Sequence, residues 1–286
     1  MTKALFGPAG NSESFYAAGY KSTKQAPLWL SKIGLDAYEY QCGNGVTGSD
    51  SNFLEVGKAA SEHGIVLSLH APYFISLSGV DPEKRLKSID YISKSVHAAT
   101  LMGADRIVIH TGSASKITRE EALYLASDTI TRALDQIDTS VLFGLETMGK
   151  INQLGTLDEV IELCKISPRL IPVVDFGHLN ARDLGNVFIS EDDYKRVFDR
   201  IGNALGDNVA RTLHCHFSKI EYTGGGEKKH LTFSDTVYGP EFEPLANVLA
   251  KEGLTPRIIC ESAGTMAEDA LSMKKMYCSA MEANDG

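Results

Sequence analysis

Short β-rich apolar runs alternate along this chain with longer segments of helical pattern. Eight runs have the length and composition of strands, and they cover residues 3–7, 36–40, 65–70, 106–110, 141–146, 171–175, 212–217 and 257–261. Helical patterns occupy residues 52–62, 82–101, 118–137, 156–165, 191–205 and 242–251, and residues 267–281 would close the ring. Since strands that alternate with helices pair in parallel, the pattern predicts a single (β/α)8 TIM barrel, with eight parallel strands and outer helices, over residues 1–286. The 286 residues suit this fold, whose typical size is ~250 residues.

Composition narrows the possible partners. The formal net charge of −9 disfavours broad electrostatic attraction to nucleic acid, although local basic segments can exist on an acidic protein. The five cysteines are widely spaced without a C-x-x-C pair, which indicates reduced thiols rather than disulfides or a thiolate metal site. Neither a signal peptide nor an apolar run of ~18 residues is present. We therefore expect a soluble, cytoplasmic monomer with no membrane partner.

Candidate metal ligands stand at the ends of the predicted strands. His70 and His110 end the third and fourth runs, Glu146 the fifth, Asp175 the sixth and Glu261 the eighth. Strand ends of a parallel barrel converge on one face, where imidazoles and carboxylates could bind a divalent metal such as zinc. Each residue alone has an ordinary structural explanation: a hydrogen-bonded histidine, a salt-bridged glutamate or a capping aspartate. The recurrence of these residue types at strand ends favours one metal site, with carboxylates available for acid-base work.

Three further histidines join the candidates. His178 follows Asp175 by three residues, within one helical turn. His214 and His216 alternate in the seventh run and share one strand face, so spacing alone does not choose between them as ligands. His230 follows the glycines at positions 224–226, which we expect to be part of a long βα loop after the seventh strand.

The order and context of these residues resemble the endonuclease IV family of apurinic/apyrimidinic endonucleases, in the xylose-isomerase-like barrel superfamily. The resemblance runs from about residue 65 to residue 261, through LHAPYFISL, IHTGSAS, LETMGKINQLGT, VVDFGHLNARDLG, HFSK and ICES. It implies a zinc-dependent phosphodiesterase of base excision repair that hydrolyses DNA 5′ to abasic sites.

The resemblance also assigns roles to residues. It implies a first metal on His70, His110 and Glu146, a second on Glu146, Asp175, His216 and Glu261, and a third on His178 and His230. The implied catalytic residues are Glu146 and Glu261. The implied substrate-binding residues are Tyr73, an aromatic after the first histidine, and Lys219, at the end of HFSK.

Departures from the family pattern keep other functions open. Lys228 stands where the family has a third-site aspartate, so that site is lost, altered or supplied by Glu227 or Asp235, and two to three zinc ions are expected. The first segment lacks the family's strand-one histidine, and QCGNGVTGSD after Tyr40 lacks the basic, Gln-rich character of a DNA-reading loop. The alternatives are a sugar isomerase or epimerase with one divalent metal, using Glu146 and Glu261 as acid and base, or a catalytically silent barrel that binds a phosphorylated small molecule.

Overall fold

The barrel strands follow the predicted runs closely. The computed structural model describes residues 3–284, and within them lie ten strands: β1 Leu5–Pro8, β2 Ala37–Gln41, β3 Val66–His70, β4 Arg106–His110, β5 Leu142–Glu146, β6 Leu170–Asp175, β7 His214–Phe217, β8 Ile220–Thr223, β9 Gly226–His230 and β10 Arg257–Cys260. All but β8 and β9 form one parallel sheet in the order β1-β10-β7-β6-β5-β4-β3-β2. An isolated parallel bridge between Ala9 and Glu39 links β1 to β2, so the sheet forms a nearly closed barrel. The predicted fold is confirmed.

Helices surround the barrel. Over the same residues they are α1 Glu13–Ala17, α2 Ala26–Ile33, α3 Asp50–His63, α4 Pro82–Met102, α5 Arg119–Gln136, α6 Leu157–Cys164, α7 Phe176–Arg182, α8 Glu191–Leu205, α9 Asp207–Arg211, α10 Glu243–Lys251 and α11 Met266–Asn284. Side-chain oxygens of Asp81 and Thr118 cap α4 and α5 by accepting from backbone N–H groups in their first turns. The sequence pattern did not predict α1, α7 and α9, because helices of five to seven residues are too short to show a clear period, and it did not predict α2 either.

The long loop expected after β7 contains regular structure. It forms an antiparallel hairpin of β8 and β9, in which Gly226 turns the chain with a φ of 88°. The register shifts within the hairpin: Glu221 faces Lys229 and Tyr222 faces Glu227, so Lys228 is an additional, unpaired residue. Such a bulge changes which side chains face the same way.

The amino end of the barrel is closed by a charged pair. Arg257, the first residue of β10, is buried and reaches across the barrel interior. Its guanidinium donates to both carboxylate oxygens of Asp105, at 2.9 and 3.0 Å, and to the carbonyl of Leu67 at 3.0 Å. The bidentate pair compensates a charge that would be costly to bury alone. The opposite, carboxyl end is left for the candidate ligands.

All five cysteines are free, and only Cys278 is exposed. From residue 3 to residue 284, no helix is both long and apolar enough to cross a membrane.

Candidate metal centre

Glu146 lies at the centre of the candidate site. Its side chain at the end of β5 is fully buried. Nε2 of His70 and of His110 lie 3.4 and 3.1 Å from its Oε2, while Nδ1 of His178 and of His216 lie 3.4 and 3.0 Å from its Oε1. Burial alone would raise the pKa of Glu146, but the charge on His216 and hydrogen bonds from the imidazoles hold it well below its usual range. One carboxylate is therefore shared between two pairs of histidines.

A second group of donors adjoins Oε1 of Glu146. Asp175, His216 and Glu261 each place one ligand atom within 4.8 Å of the others and of Glu146. Glu261 lies one residue beyond β10, and its Oε1 is 3.5 Å from Nδ1 of His216. Burial, reinforced by the neighbouring Glu146 and Asp175 carboxylates, raises the pKa of Glu261 to about 8. Carboxylates crowded in this way need a proton or a cation between them.

Asp175 combines a structural contact with a free oxygen. Its Oδ1 accepts from the backbone N–H of His178 at 2.7 Å and caps α7, which begins directly after β6. Its Oδ2 is buried and has no hydrogen-bond partner, although Nδ1 of His178 lies 3.5 Å away. Asp175 can therefore cap α7 with Oδ1 and still offer Oδ2 to a metal. A buried carboxylate oxygen without a partner is what an additional cation would satisfy.

A third group lies toward the hairpin. Nε2 of His178 is 3.5 Å from Oε2 of Glu227, and Nε2 of His230 is 3.9 Å from its Oε1. Lys228 points away, with its amine 2.5 Å from Glu221. Asp235 instead accepts from two backbone N–H groups of its own turn. Of the two acids that could replace the missing aspartate, Glu227 is the one that faces the histidines, because the bulge at Lys228 turns it inward.

These donors fit divalent metal ions. Imidazole and carboxylate are the ligands that zinc accepts, and the groups around Glu146 place their atoms within 4.8 Å of one another. His70, His110 and Glu146 form one such group, and Glu146, Asp175, His216 and Glu261 form another. The unpartnered Oδ2 of Asp175 supports the same conclusion from hydrogen bonding.

Tyr73 and Lys219 occupy different surroundings. The ring of Tyr73 stacks on His110 with centroids 5.5 Å apart, and 56% of the residue is exposed, so it stands over the site within reach of a substrate. Lys219 is buried, and its amine donates to the carbonyl of Asp235 at 2.7 Å and to Glu241 at 2.6 Å. Lys219 therefore fastens the segment after the hairpin, and a contact with substrate would require it to leave these partners.

Sequence analysis missed Glu39. This residue is fully buried in the middle of β2, and its carboxylate lies 3.1 Å from Nε2 of His214 and 3.1 Å from Nε2 of His216. Only His216 also contacts Glu146 and Glu261, which separates the two histidines that spacing left equivalent. Burial lowers the pKa of His214 to about 3, so this imidazole is neutral. The available signal was a glutamate inside a parallel strand, where both faces are usually covered.

Comparisons with known proteins identify the family and the fold. The family model for xylose isomerase-like TIM barrels matches residues 27–276. An uncharacterized protein of Methanocaldococcus jannaschii is 30% identical over 253 residues, which are 87% of this chain and 89% of that protein. A probable endonuclease 4 of Acholeplasma laidlawii is 30% identical over 216 residues, which are 68% of this chain and 72% of the relative. A solved D-tagatose 3-epimerase-like protein has a TM-score of 0.72 at 19% identity, with 98% of both chains covered, which shows a shared fold.

Proposed function

Because the chain belongs to the xylose isomerase-like TIM barrel family and has probable endonuclease 4 relatives, we propose that it is a zinc-dependent phosphodiesterase that cleaves DNA 5′ to abasic sites. The observation that carries the proposal is the position of Glu146. One buried carboxylate contacts His70 and His110 through one oxygen and His178 and His216 through the other. A carboxylate used on both sides suits a centre with two or more metals, which is common in phosphodiester hydrolysis.

Each residue of the site would have its own role in the reaction. When bound, the metals would activate water and stabilise charge on the phosphodiester and the leaving 3′ oxygen. Glu146 would hold two of them, with His70 and His110 on one and Asp175, His216 and Glu261 on the other. Glu261, whose side chain retains 15% exposure, would contact the reacting water as well as its metal. Tyr73 would contact the sugar-phosphate chain beside the missing base, where extrusion of the nucleotide is least costly.

We propose a third metal on His178, His230 and Glu227. Glu227 places Oε2 3.5 Å from Nε2 of His178 and Oε1 3.9 Å from Nε2 of His230, and Glu261 also offers a ligand atom within 4.8 Å of those of both histidines. Glu227 would take the place of the aspartate that the family has two residues before its loop histidine. Nδ1 of His230 lies 2.8 Å from the hydroxyl of Ser218, which can orient the ring so that Nε2 faces Glu227. The full complement would then be three zinc ions.

A gel assay on a duplex with one abasic site tests this function. Zinc-loaded protein should incise 5′ to the lesion, and chelation should stop the reaction until zinc is restored. Glu261→Gln should lower the rate at least about 100-fold because a carboxylate that binds metal and contacts water is lost. Glu120→Gln, an exposed carboxylate on α5, is the matched control and should retain activity. Full activity of Glu261→Gln, or no incision by zinc-loaded protein, would refute the proposal.

A sugar isomerase or epimerase is the second candidate. It is favoured by the net charge of −9 and by the pairing of Lys228 and Lys229 with Glu221, which offsets part of the positive charge of the hairpin. Such an enzyme would use one divalent metal with Glu146 and Glu261 as acid and base. Isomerisation of a ketose by protein that leaves abasic DNA intact would establish it.

A further inference from the structure

We infer that Glu39 is a positioning residue that sets the tautomer of His216, so that Nδ1 of this histidine is free to bind metal. The inference rests on the proposed metal centre and adds a residue that the centre's own ligands do not include. Its basis is that the two ring nitrogens of the buried His216 face different carboxylates.

The two nitrogens face different carboxylates. Nδ1 of His216 lies 3.0 Å from Glu146 and 3.5 Å from Glu261, on the side where the metal would bind. Nε2 lies 3.1 Å from Oε1 of Glu39, but the angle falls short of a good hydrogen bond and no other partner is present among the described residues. A metal would displace the Nδ1 proton of His216, and the one N–H that remains on the neutral imidazole, on Nε2, faces Glu39. Histidine ligands commonly donate their second N–H to a carboxylate in this way.

Glu39 is itself held in place by its neighbours. Its Oε2 accepts from the hydroxyl of Ser68 at 2.9 Å and lies 3.1 Å from Nε2 of His214. Its Oε1 has only a long contact with Nε2 of Gln41, at 3.4 Å, besides His216. One oxygen is thus occupied by two donors from β3 and β7, and the other remains available to His216. Because these groups stand on barrel strands, the arrangement is rigid.

The same residues could instead bind a separate metal ion. Glu39, His214 and His216 each offer a ligand atom within 4.8 Å of the others. All three are almost completely buried, at 0%, 1% and 0% exposure, so an ion would have to pass the metal centre above to reach them. Such a site would also need His214 as a ligand, whereas a positioning role for Glu39 does not. A variant of His214 therefore distinguishes a separate metal site from a positioning role of Glu39.

Zinc binding by two matched variants tests the inference. Wild-type protein, Glu39→Gln and His214→Gln would be loaded with zinc, dialysed against graded chelator concentrations and analysed for zinc per chain. Glu39→Gln should weaken one zinc about 10- to 100-fold, the usual effect of removing a carboxylate behind a histidine ligand. His214→Gln should retain wild-type zinc affinity, because the glutamine amide can still donate to Oε2 of Glu39 while it lacks an imidazole nitrogen to bind a metal. Thermal melting of the metal-free variants checks that they fold.

Histidine NMR supplies a readout on the unaltered protein. In zinc-loaded wild-type protein, long-range ¹H–¹⁵N correlations should show His216 with its proton on Nε2 and zinc on Nδ1. A proton on Nδ1, or unchanged zinc affinity in Glu39→Gln, would overturn the inference, and so would loss of the same zinc in His214→Gln. Wild-type protein that takes up no zinc would instead overturn the proposed function itself.

Discussion

Glu227 is the residue on which the third metal depends, and its replacement by alanine should remove one zinc ion. The carboxylate lies 3.5 and 3.9 Å from the imidazoles of His178 and His230, and its side chain is only 15% exposed. Loss of a carboxylate behind a ligand already costs 10- to 100-fold in affinity, so loss of a ligand should cost at least about 100-fold, or about 2.8 kcal/mol. At zinc concentrations that saturate only the wild type, Tm should fall by roughly 5–10 °C.

Elemental analysis and thermal melting of Glu227→Ala would measure these losses. Lys228→Ala is the matched control: it removes the neighbouring side chain, which is 54% exposed and pairs with Glu221, and it should keep all its zinc. An aspartate introduced at position 228 in the Glu227→Ala background should not restore the site, since the bulge turns that position outward. Three zinc ions retained by Glu227→Ala would refute this reasoning.

Three further predictions follow from the geometry. In Gly43→Ala the new Cβ would lie 2.2 Å from the Tyr73 ring, so the ring must move. Incision of abasic DNA should then slow about tenfold at unchanged zinc content. An unaltered rate would count against a substrate role for Tyr73. Asp105→Ala should lower the free energy of unfolding in urea by about 2–3 kcal/mol, because it leaves the buried Arg257 without its half-exposed partner. Arg257→Met should lower it by less than about 1.5 kcal/mol, and equal losses would contradict this account. Burial raises the pKa of Glu261 to about 8, and a bound zinc must displace that proton. Zinc affinity measured by chelator competition should therefore fall about tenfold per pH unit below pH 8 for each proton displaced. A flat profile of affinity against pH would be inconsistent with Glu261 as a ligand.

Much of the site could be predicted because it stands at strand ends. His70, His110, Glu146 and Asp175 are the last residues of their strands, and parallel strands bring such residues together whatever the details of the helices between them. A local pattern was therefore sufficient to predict that these four side chains lie close together.

Glu39 and Glu227 could not be found in the same way. Glu39 lies in mid-strand, where a glutamate between two tyrosines has the alternation of a half-exposed strand, and its burial becomes evident only when the barrel closes. Glu227 faces the histidines because one additional residue enters β9, and hydrophobic periodicity does not reveal such a bulge. Spacing did not choose between His214 and His216; the family resemblance favoured His216, and the closed barrel places Glu146 and Glu261 beside that histidine.

The zinc content of wild type and of Glu146→Gln, both purified without added metal, shows whether Glu146 organises the centre. Glu146 contacts both pairs of histidines, so we expect three zinc ions per wild-type chain and at most one in Glu146→Gln. Wild-type protein with one zinc or none, or a Glu146→Gln variant with an undiminished complement, would contradict a centre built on this shared carboxylate.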